Sequence, residues 1–590
     1  MDVSYFSAAP WIWLVAVIEY IALNKRFGLL GLIRTMCLYA LTACVALLPM
    51  ALAGHSPEPS QVWFAAGAAF LFQLPWPVLY RFTRGLRERS FRHYADAAVA
   101  MLFFGVLCTL LLLGGPFAWL VGPLELLLLT TVVIQVTFFA LYGTCMDAHG
   151  YRLMTQTNTN EVIEFIKYYP WWMSTGLLLV IVFITAASIW LDLPAAAMPP
   201  AGPAFLVGGS GLLCVLVMCI GGRRSLLSRS GFVSFMIAKA ETTETLGRYP
   251  EHRDIRRRSI NVEPAGKAYK GPSTIMLVIG ESANRDYMSA FRDDIGRDTP
   301  PWLNAMRRSD PDHMLIFPNA YSCGMHTFMA LEEALTEKNQ HHGANFSHAT
   351  NIIDIAHAAG RRVHWYSNQG HLGASLSQVS VIADEADEAR WTEQHPGMPP
   401  HDSELLPMLE GVDPEADNLL VVHLKGNHFS FENRYPADFA RWQATPDCDH
   451  TIATYHNSML YVDDILHRLF ETAKSKLNLK AMVYCSDHAI IPDAHRAPVF
   501  SGFGDVRIPL AVWTSDDFIA CHPERYESLV ANRGKYWTND FLFDLMCGLM
   551  DVETPRSKHE NSLAHKEYRH RRETLTVLRG TVRLSDDTTD

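Results

Sequence analysis

Charge is scarce in this sequence and is nowhere concentrated. Acidic and basic residues make up 19% of the 590 positions, the net charge is -11, and neither sign forms a long run. That excludes a nucleic-acid footprint, which needs Lys and Arg clustered on one face. The N-terminus has no basic stretch and no small-residue cleavage site, so it is expected to be retained rather than removed as a signal peptide. No internal repeat is visible. Nor do the 11 cysteines make an even framework: Cys323, Cys448, Cys485, Cys521 and Cys547 fall in the polar half, and five leaves at least one thiol free or joined to another chain. The count neither demands nor excludes an oxidising compartment.

What the sequence does have is apolar length. Hydrophobic residues make up 49% of the chain, and nearly all the long apolar runs precede Gly222. Runs of spanning length, about 20 residues, occur at about 29–53, 61–80, 95–114, 117–143, 171–191 and 203–222, with a shorter one at about 10–23. A single such run could be a buried core helix; six in succession read as membrane helices, because backbone groups in hydrocarbon must be bonded within the segment. Orientation is contested by the charges. The loop "RFTRGLRERSFRH" carries Arg81, Arg84, Arg87, Arg89 and Arg92, which belong in the cytoplasm by the positive-inside rule. Counting every later run as a crossing then leaves the C-terminal half cytoplasmic.

The chain thus predicts a transmembrane domain over 1–222, a charged connector over 223–272, a catalytic domain over 273–575 and a tail over 576–590. In the third of these, apolar runs at Ile275–Ile279, Val363–Tyr366, Leu419–Leu424, Ala481–Cys485 and Ile508–Trp513 read as buried strands. Met459, Val462, Leu466 and Leu469 recur at helical spacing between two of them. Alternation of this kind means an α/β domain with a largely parallel sheet covered by helices on both faces.

Three of these strands end on polar residues. "VIGES" delivers Glu281, "LVVHLKGNH" delivers His423 and His428, and "MVYCSDH" delivers Asp487 and His488. Ligands bind beyond the carboxyl ends of strands in open α/β sheets, so Glu281, His428, Asp487 and His488 are expected at one crevice. Oxygen and imidazole donors in that mixture suit Zn²⁺, with Mn²⁺ as second choice. The stretch "AYSCGMHTFMALEEAL" reads as a turn entering a helix, with Thr327 near the first turn. There Thr327 is either an ordinary N-cap or a nucleophile whose hydroxyl a metal ionises near neutral pH.

The motifs "VIGESANRDYMSAF", "SCGMHT", "HLKGNHFSFENRYP", "YHNSMLYVDD" and "CSDH", with "LMTQTNTNEVIEFIKYYPWW" upstream, resemble in order the membrane-bound phosphoethanolamine transferases of the alkaline phosphatase superfamily. The resemblance covers most of the chain from about residue 140 and implies an alkaline-phosphatase-like α/β domain. By matching positions it makes Thr327 the nucleophile and Glu281, Thr327, Asp487 and His488 the ligands of one Zn²⁺. His428 and His495 match histidines that contact the phosphoryl group or a second metal. Ser282 is expected to cap the following segment.

The departures are specific. "SDHAII" stands where the family has "SDHGES", and Glu332 and Glu333 occupy the region of the cysteine that usually pairs with the "SCG" cysteine, here Cys323. "CHPER" (Cys521 to Arg525) fits the sulfatase formylglycine pattern but lies after the "SDH" strand, far from its usual early place.

The resemblance implies a bacterial inner-membrane enzyme with its catalytic domain in the periplasm, phosphatidylethanolamine as donor and an envelope lipid or glycan as acceptor. A periplasmic domain requires one run between residues 95 and 143 to cross incompletely. The alternatives are a phosphoglycerol transferase or phosphodiesterase on the same metal site, or a membrane scaffold that keeps the fold without turnover.

Overall fold

A computed structural model describes residues 28–53, 58–73, 89–142 and 201–220 of the N-terminal half, with a few isolated positions between them, and most of 243–590. Within that last span, 259, 261–262, 265–268, 370, 372–376, 396–398, 446–447, 494–499 and 589–590 are not described. The apolar run at 10–23, most of that at 171–191, the motif at 153–172, the arginines from Arg81 to Arg87 and His495 therefore lie outside the described residues.

The chain divides into two compact units, the second running from Thr243 to Asp590. In the first, the apolar runs form α1 (Gly28–Ala53), α2 (Pro59–Gln73), α3 (Arg89–Leu113), α4 (Val121–Tyr142) and α5 (Ala201–Ile220). Among the described residues, Ala95–Leu113 and Gly115–Val136 are long and apolar enough to cross a membrane, and Ala40–Ala53 and Gly202–Val217 are shorter apolar helices. Both runs between 95 and 143 thus have spanning length, so length gives no ground for the incomplete crossing expected there.

The second unit is built on a seven-stranded sheet. In chain order its strands are β1 (Thr274–Gly280), β2 (Met314–Ile316), β3 (Arg362–Ser367), β4 (Glu388–Trp391), β5 (Asn418–His423), β6 (Leu479–Ser486) and β7 (Leu510–Thr514). Their spatial order is β2-β7-β6-β1-β5-β3-β4. Pairing is parallel from β6 through β1, β5 and β3 to β4, whereas β7 is antiparallel to both β6 and β2. The sheet is therefore mixed but mostly parallel, with β7 alone reversed. The short strands β2 and β4, at the two edges, carry too little apolar sequence to be read in advance.

Alternate residues of the central strands feed two cores. Ile275, Leu277 and Ile279 join Leu419 and Val421, with Ala481 and Val483, on one face. Met276 and Val278 join Leu420, Val422, Met482 and Tyr484 on the other. Burial on both sides is why these strands read as continuous apolar runs rather than alternating ones. Helix α6 (Thr327–Ala334) adds Leu331 and Ala334 to the first core. Helix α7 (His450–Lys476) covers the second face through Val462, Leu466 and Leu469, three of the residues whose spacing predicts it. The first face is also covered in part by α9 (Leu542–Leu549), which follows α8 (Pro523–Ala531).

Part of the segment read as a connector packs on this unit. Arg256 is buried, and its guanidinium donates to Asp354 at 2.9 Å and to Glu385 while its face lies 3.9 Å from the Tyr249 ring. A buried cation needs such pairing.

Candidate metal centre

Four adjacent parallel strands, β3, β5, β1 and β6, release the chain at the same end of the sheet. The residue after β1 is Glu281, and the residues after β6 are Asp487 and His488, all fully buried. Backbone bonds lace the two exits together: Asp487 N donates to Gly280 O at 3.0 Å, and Ser282 N donates to Asp487 Oδ1 at 3.1 Å.

Ligand atoms of Glu281, Asp487 and His488 lie within 4.8 Å of one another. His488 Nε2 is 3.2 Å from Glu281 Oε1 and 3.6 Å from Asp487 Oδ2. A tetrahedral ion with bonds near 2.0–2.1 Å separates its ligands by about 3.4 Å, so these gaps have the right size. The His488 ring is oriented by Nδ1, 2.9 Å from Ala489 O; donation there leaves Nε2 as the lone-pair nitrogen facing the carboxylates.

The electrostatics point to a cation. Burial, followed by the charge on Glu281, pushes Asp487 up to about 7. Glu281 is burdened by the same burial, yet the imidazoles of His488 and His428 draw it well below the usual carboxylate range. Asp487 Oδ2 has no hydrogen-bond partner. Two buried carboxylates with one oxygen unbonded carry a large desolvation cost, which a divalent ion would offset. The donor set fits Zn²⁺.

Thr327 reaches the same carboxylate. It is the first helical residue of α6, while His326, with extended backbone, holds the N-cap position and makes no side-chain cap bond. The Thr327 hydroxyl is thus free of capping duty, and Oγ1 donates to Glu281 Oε2 at 2.9 Å. The first-turn N–H groups and helix dipole favour negative charge beside it.

His428 sits on the loop after β5, mostly buried, with its charge acting on Glu281. The loop is placed by Asp402, whose carboxylate accepts from Lys425 N at 2.7 Å and Gly426 N at 2.9 Å. Gly426 has φ +53°, and a Cβ there would stand 2.9 Å from Glu281 N, so glycine allows both the turn and the close approach. Ser282 departs from expectation. Asn284 caps the next turn, accepting from Asp286 N, whereas Ser282, at φ 58°, donates to Glu281 Oε1 at 2.7 Å.

Gln369 and Asp402 escape the sequence reading. Gln369 Nε2 donates to Leu424 O at 2.6 Å and lies 3.4 Å from Glu281 Oε2. It follows β3, so the strand-end rule applied to "YSNQ" would have found it; Asp402 opens the 3-10 helix Asp402–Gly411, away from any strand end, and had no such signal.

The departures also resolve. In "SDHAII", Ile490 packs with Ala283, Met288 and Tyr455, and its carbonyl accepts from Asn284. Cys323 is a buried free thiol, and no disulfide occurs among the described residues. Beside it, burial and then Asp540 push the Glu333 carboxyl up to about 7, and Arg579 stands 3.7 Å away from Glu333. "CHPER" forms the junction between the helix Asp516–Cys521 and α8.

Residues 273–552 match the sulfatase family model. This stretch is a sulfatase-family domain. The chain is 23% identical over 432 residues to phosphoethanolamine transferase EptC of Escherichia coli K12, covering 66% of this chain and 73% of the relative. It is 22% identical over 536 residues to phosphoethanolamine transferase CptA of Salmonella typhimurium LT2, covering 82% and 89%. Among solved structures, the integral membrane lipooligosaccharide phosphoethanolamine transferase A of Neisseria meningitidis matches with TM-score 0.56 at 17% identity, over 86% of this chain and 98% of that one. Around its sulfatase-family domain the chain is similar to these phosphoethanolamine transferases at 22–23% identity.

Proposed function

We propose that the protein is an inner-membrane phosphoethanolamine transferase. In this reading it moves phosphoethanolamine from phosphatidylethanolamine to an envelope lipid or glycan, with its catalytic domain in the periplasm. The observation that carries the reading is the Thr327 hydroxyl set on Glu281, in a pocket whose other walls are Asp487 and His488. The names of its relatives support the transferred group.

Glu281, Thr327, Asp487 and His488 would hold one Zn²⁺. When bound, the ion supplies Lewis acidity that lowers the pKa of a coordinated hydroxyl and offsets negative charge on a phosphoryl oxygen. Glu281 Oε2 accepts the hydrogen bond of Thr327 and so aims the oxygen lone pairs away from the carboxylate. Thr327 Oγ1 then attacks phosphorus; the P–O bond to diacylglycerol breaks, and the departing oxygen takes a proton. Phosphoethanolamine is left as an ester of Thr327. An acceptor oxygen attacks next, the Thr327–phosphorus bond breaks, and the threonine hydroxyl is regenerated. His428, held near Glu281 by the Asp402-anchored loop, is suited to steady the phosphoryl oxygens or to carry the acceptor's proton. His495 is proposed for the same work, and the two histidines for any second ion.

Intact-mass measurement of the purified protein tests this directly. A phosphoethanolamine increment on Thr327, absent from Thr327→Ala, is expected; a phosphoglycerol increment would assign the other transferase, and no adduct with no bound metal would leave a scaffold.

A further inference from the structure

Residues 576–588 fold back onto the turn that carries Thr327. Thr576–Val577 and Val582–Arg583 pair as a small antiparallel hairpin. Leu575, Val577 and Leu584 are buried in the core that also takes Leu331 and Ala334 of α6. At the hairpin tip Leu578 and Arg579 have φ 54° and 55°, a left-handed backbone that residues with a Cβ disfavour. Such a conformation persists only where its surroundings hold it. Here Leu578 N donates to Cys323 O at 2.7 Å. Arg579 reaches α6 itself, with Nη2 3.7 Å from Glu332 and Nε 3.7 Å from Glu333. Beyond α6, Gln340 Oε1 accepts from Thr576 N at 2.6 Å and from Thr576 Oγ1 at 2.9 Å.

The end of the same segment grips the other side of the turn. Asp587 is buried, and its carboxylate accepts from the Tyr321 hydroxyl at 3.1 Å. It also takes a two-pronged bond from Arg507, through Nε at 3.0 Å and through Nη2. Tyr321 ends the short strand Ala320–Tyr321 that enters the turn. The third nitrogen of Arg507, Nη1, donates to Asp286 at 2.8 Å, on the segment that follows Glu281. Asp587 therefore stands between the chain that leads to Thr327 and the chain that leaves Glu281. A buried carboxylate needs this degree of pairing, and the fork geometry supplies direction as well as charge.

We propose that this C-terminal segment positions the nucleophile: Leu578 through its backbone, and Arg579 and Asp587 through their side chains, hold the turn from Ser322 to His326 so that Thr327 meets Glu281. The proposal rests on the reading of Thr327 as nucleophile. None of the three touches a reacting atom; each acts through the turn. That turn belongs to no helix or strand, and Cys323 within it is a free thiol, so non-covalent contacts must fix it. Its peptide groups are held on two sides, with Cys323 N on Asn539 Oδ1 at 2.8 Å and Cys323 O on Leu578 N. A displacement of about 1 Å at a reacting group costs on the order of 10²-fold in rate, so loosening one side is enough to be measured.

The test uses the full chain in detergent, labelled phosphatidylethanolamine, and a temperature well below the melting point of each variant. Asp587→Asn is expected to lower kcat about tenfold or more with KM within about twofold, and Arg579→Ala to lower kcat by about threefold. Arg579→Lys should restore most of the loss. Amide exchange read by mass spectrometry should quicken over residues 320–330 in the two damaging variants and stay unchanged in β1; a merely structural role would quicken both. Should buried Asp587→Asn melt below the assay temperature, Arg579→Ala decides, since that side chain is 41% exposed. Unchanged kcat in the folded variants, or a fall in kcat without faster exchange at the turn, overturns the proposal. The two readings fail separately: an active Thr327→Ala sinks the nucleophile, whereas an inactive Thr327→Ala beside fully active Asp587→Asn and Arg579→Ala sinks only the positioning role.

Discussion

Thr327 Oγ1 and Glu281 Oε2 stand 2.9 Å apart although 46 residues separate them in the chain. One arrives on the first turn of α6 and the other at the end of β1. The pairing gives the hydroxyl a fixed direction before any substrate enters. Removing the oxygen by Thr327→Ala should lower transfer by a factor on the order of 10⁴ or more while leaving the fold intact, because the residue is only partly buried. Thr327→Ser keeps the oxygen and should keep measurable transfer. Turnover of a labelled phosphatidylethanolamine headgroup checks both; an active alanine variant would remove Thr327 from the reaction.

Asp487→Asn should change the sign of its effect with metal. In chelator the parent must bury Asp487 beside Glu281, and the amide relieves that repulsion, so the variant should melt no lower than the parent. With saturating Zn²⁺ the parent gains binding free energy, about 2.7 kcal/mol at a hundredfold excess over Kd, and the variant should then melt below it. Thermal melting with and without chelator measures the crossing. Parallel curves would mean that Asp487 holds no ion.

Gly426→Ala should damage the centre from behind. At φ +53° an alanine is strained, and its Cβ would stand 2.9 Å from Glu281 N. The expected cost is about 1–3 kcal/mol, a drop of roughly 2–10 °C in melting temperature, together with lost transfer as Glu281 is displaced. Unchanged melting and turnover would show that the loop shifts freely.

Glu333 should make stability fall as pH rises. Its folded-state pKa of about 7 stands above the ordinary value of 4.5, with burial as the first cause and Asp540 the second. Below about pH 4.5 both states are protonated and its contribution is fully present; it is lost as pH rises through about 7. Glu333→Gln cannot ionise, so it should be more stable than the parent at pH 8 by an amount on the order of 1–3 kcal/mol. The two should converge near about pH 4. Denaturation across that range checks the sign, and a variant less stable at the alkaline end would show that the Arg579 contact outweighs burial.

Much of the polar half could be read from the chain because its strands are buried on both faces. A run such as Ile275–Ile279 has only one environment that suits it. The strand-end rule then located Glu281, Asp487 and His488, since the carboxyl ends of parallel neighbours must converge. The same rule, applied to β3, reaches Gln369 as well. The edge strands β2 and β4 were not legible: three or four residues at a sheet margin carry little pattern.

What the sequence alone determined was therefore local and periodic: which segments are apolar, which are strands, and which polar residues follow them. Tertiary structure decided what those residues do to each other. That the Thr327 hydroxyl faces Glu281 instead of capping its own helix, that Ser282 steadies that carboxylate, that Asp402 places the His428 loop and that Glu333 lies beside the Cys323 thiol all depend on how the chain is folded back on itself. No spacing along the sequence encodes such contacts, because hydrogen bonds and charge act through space over a few ångströms.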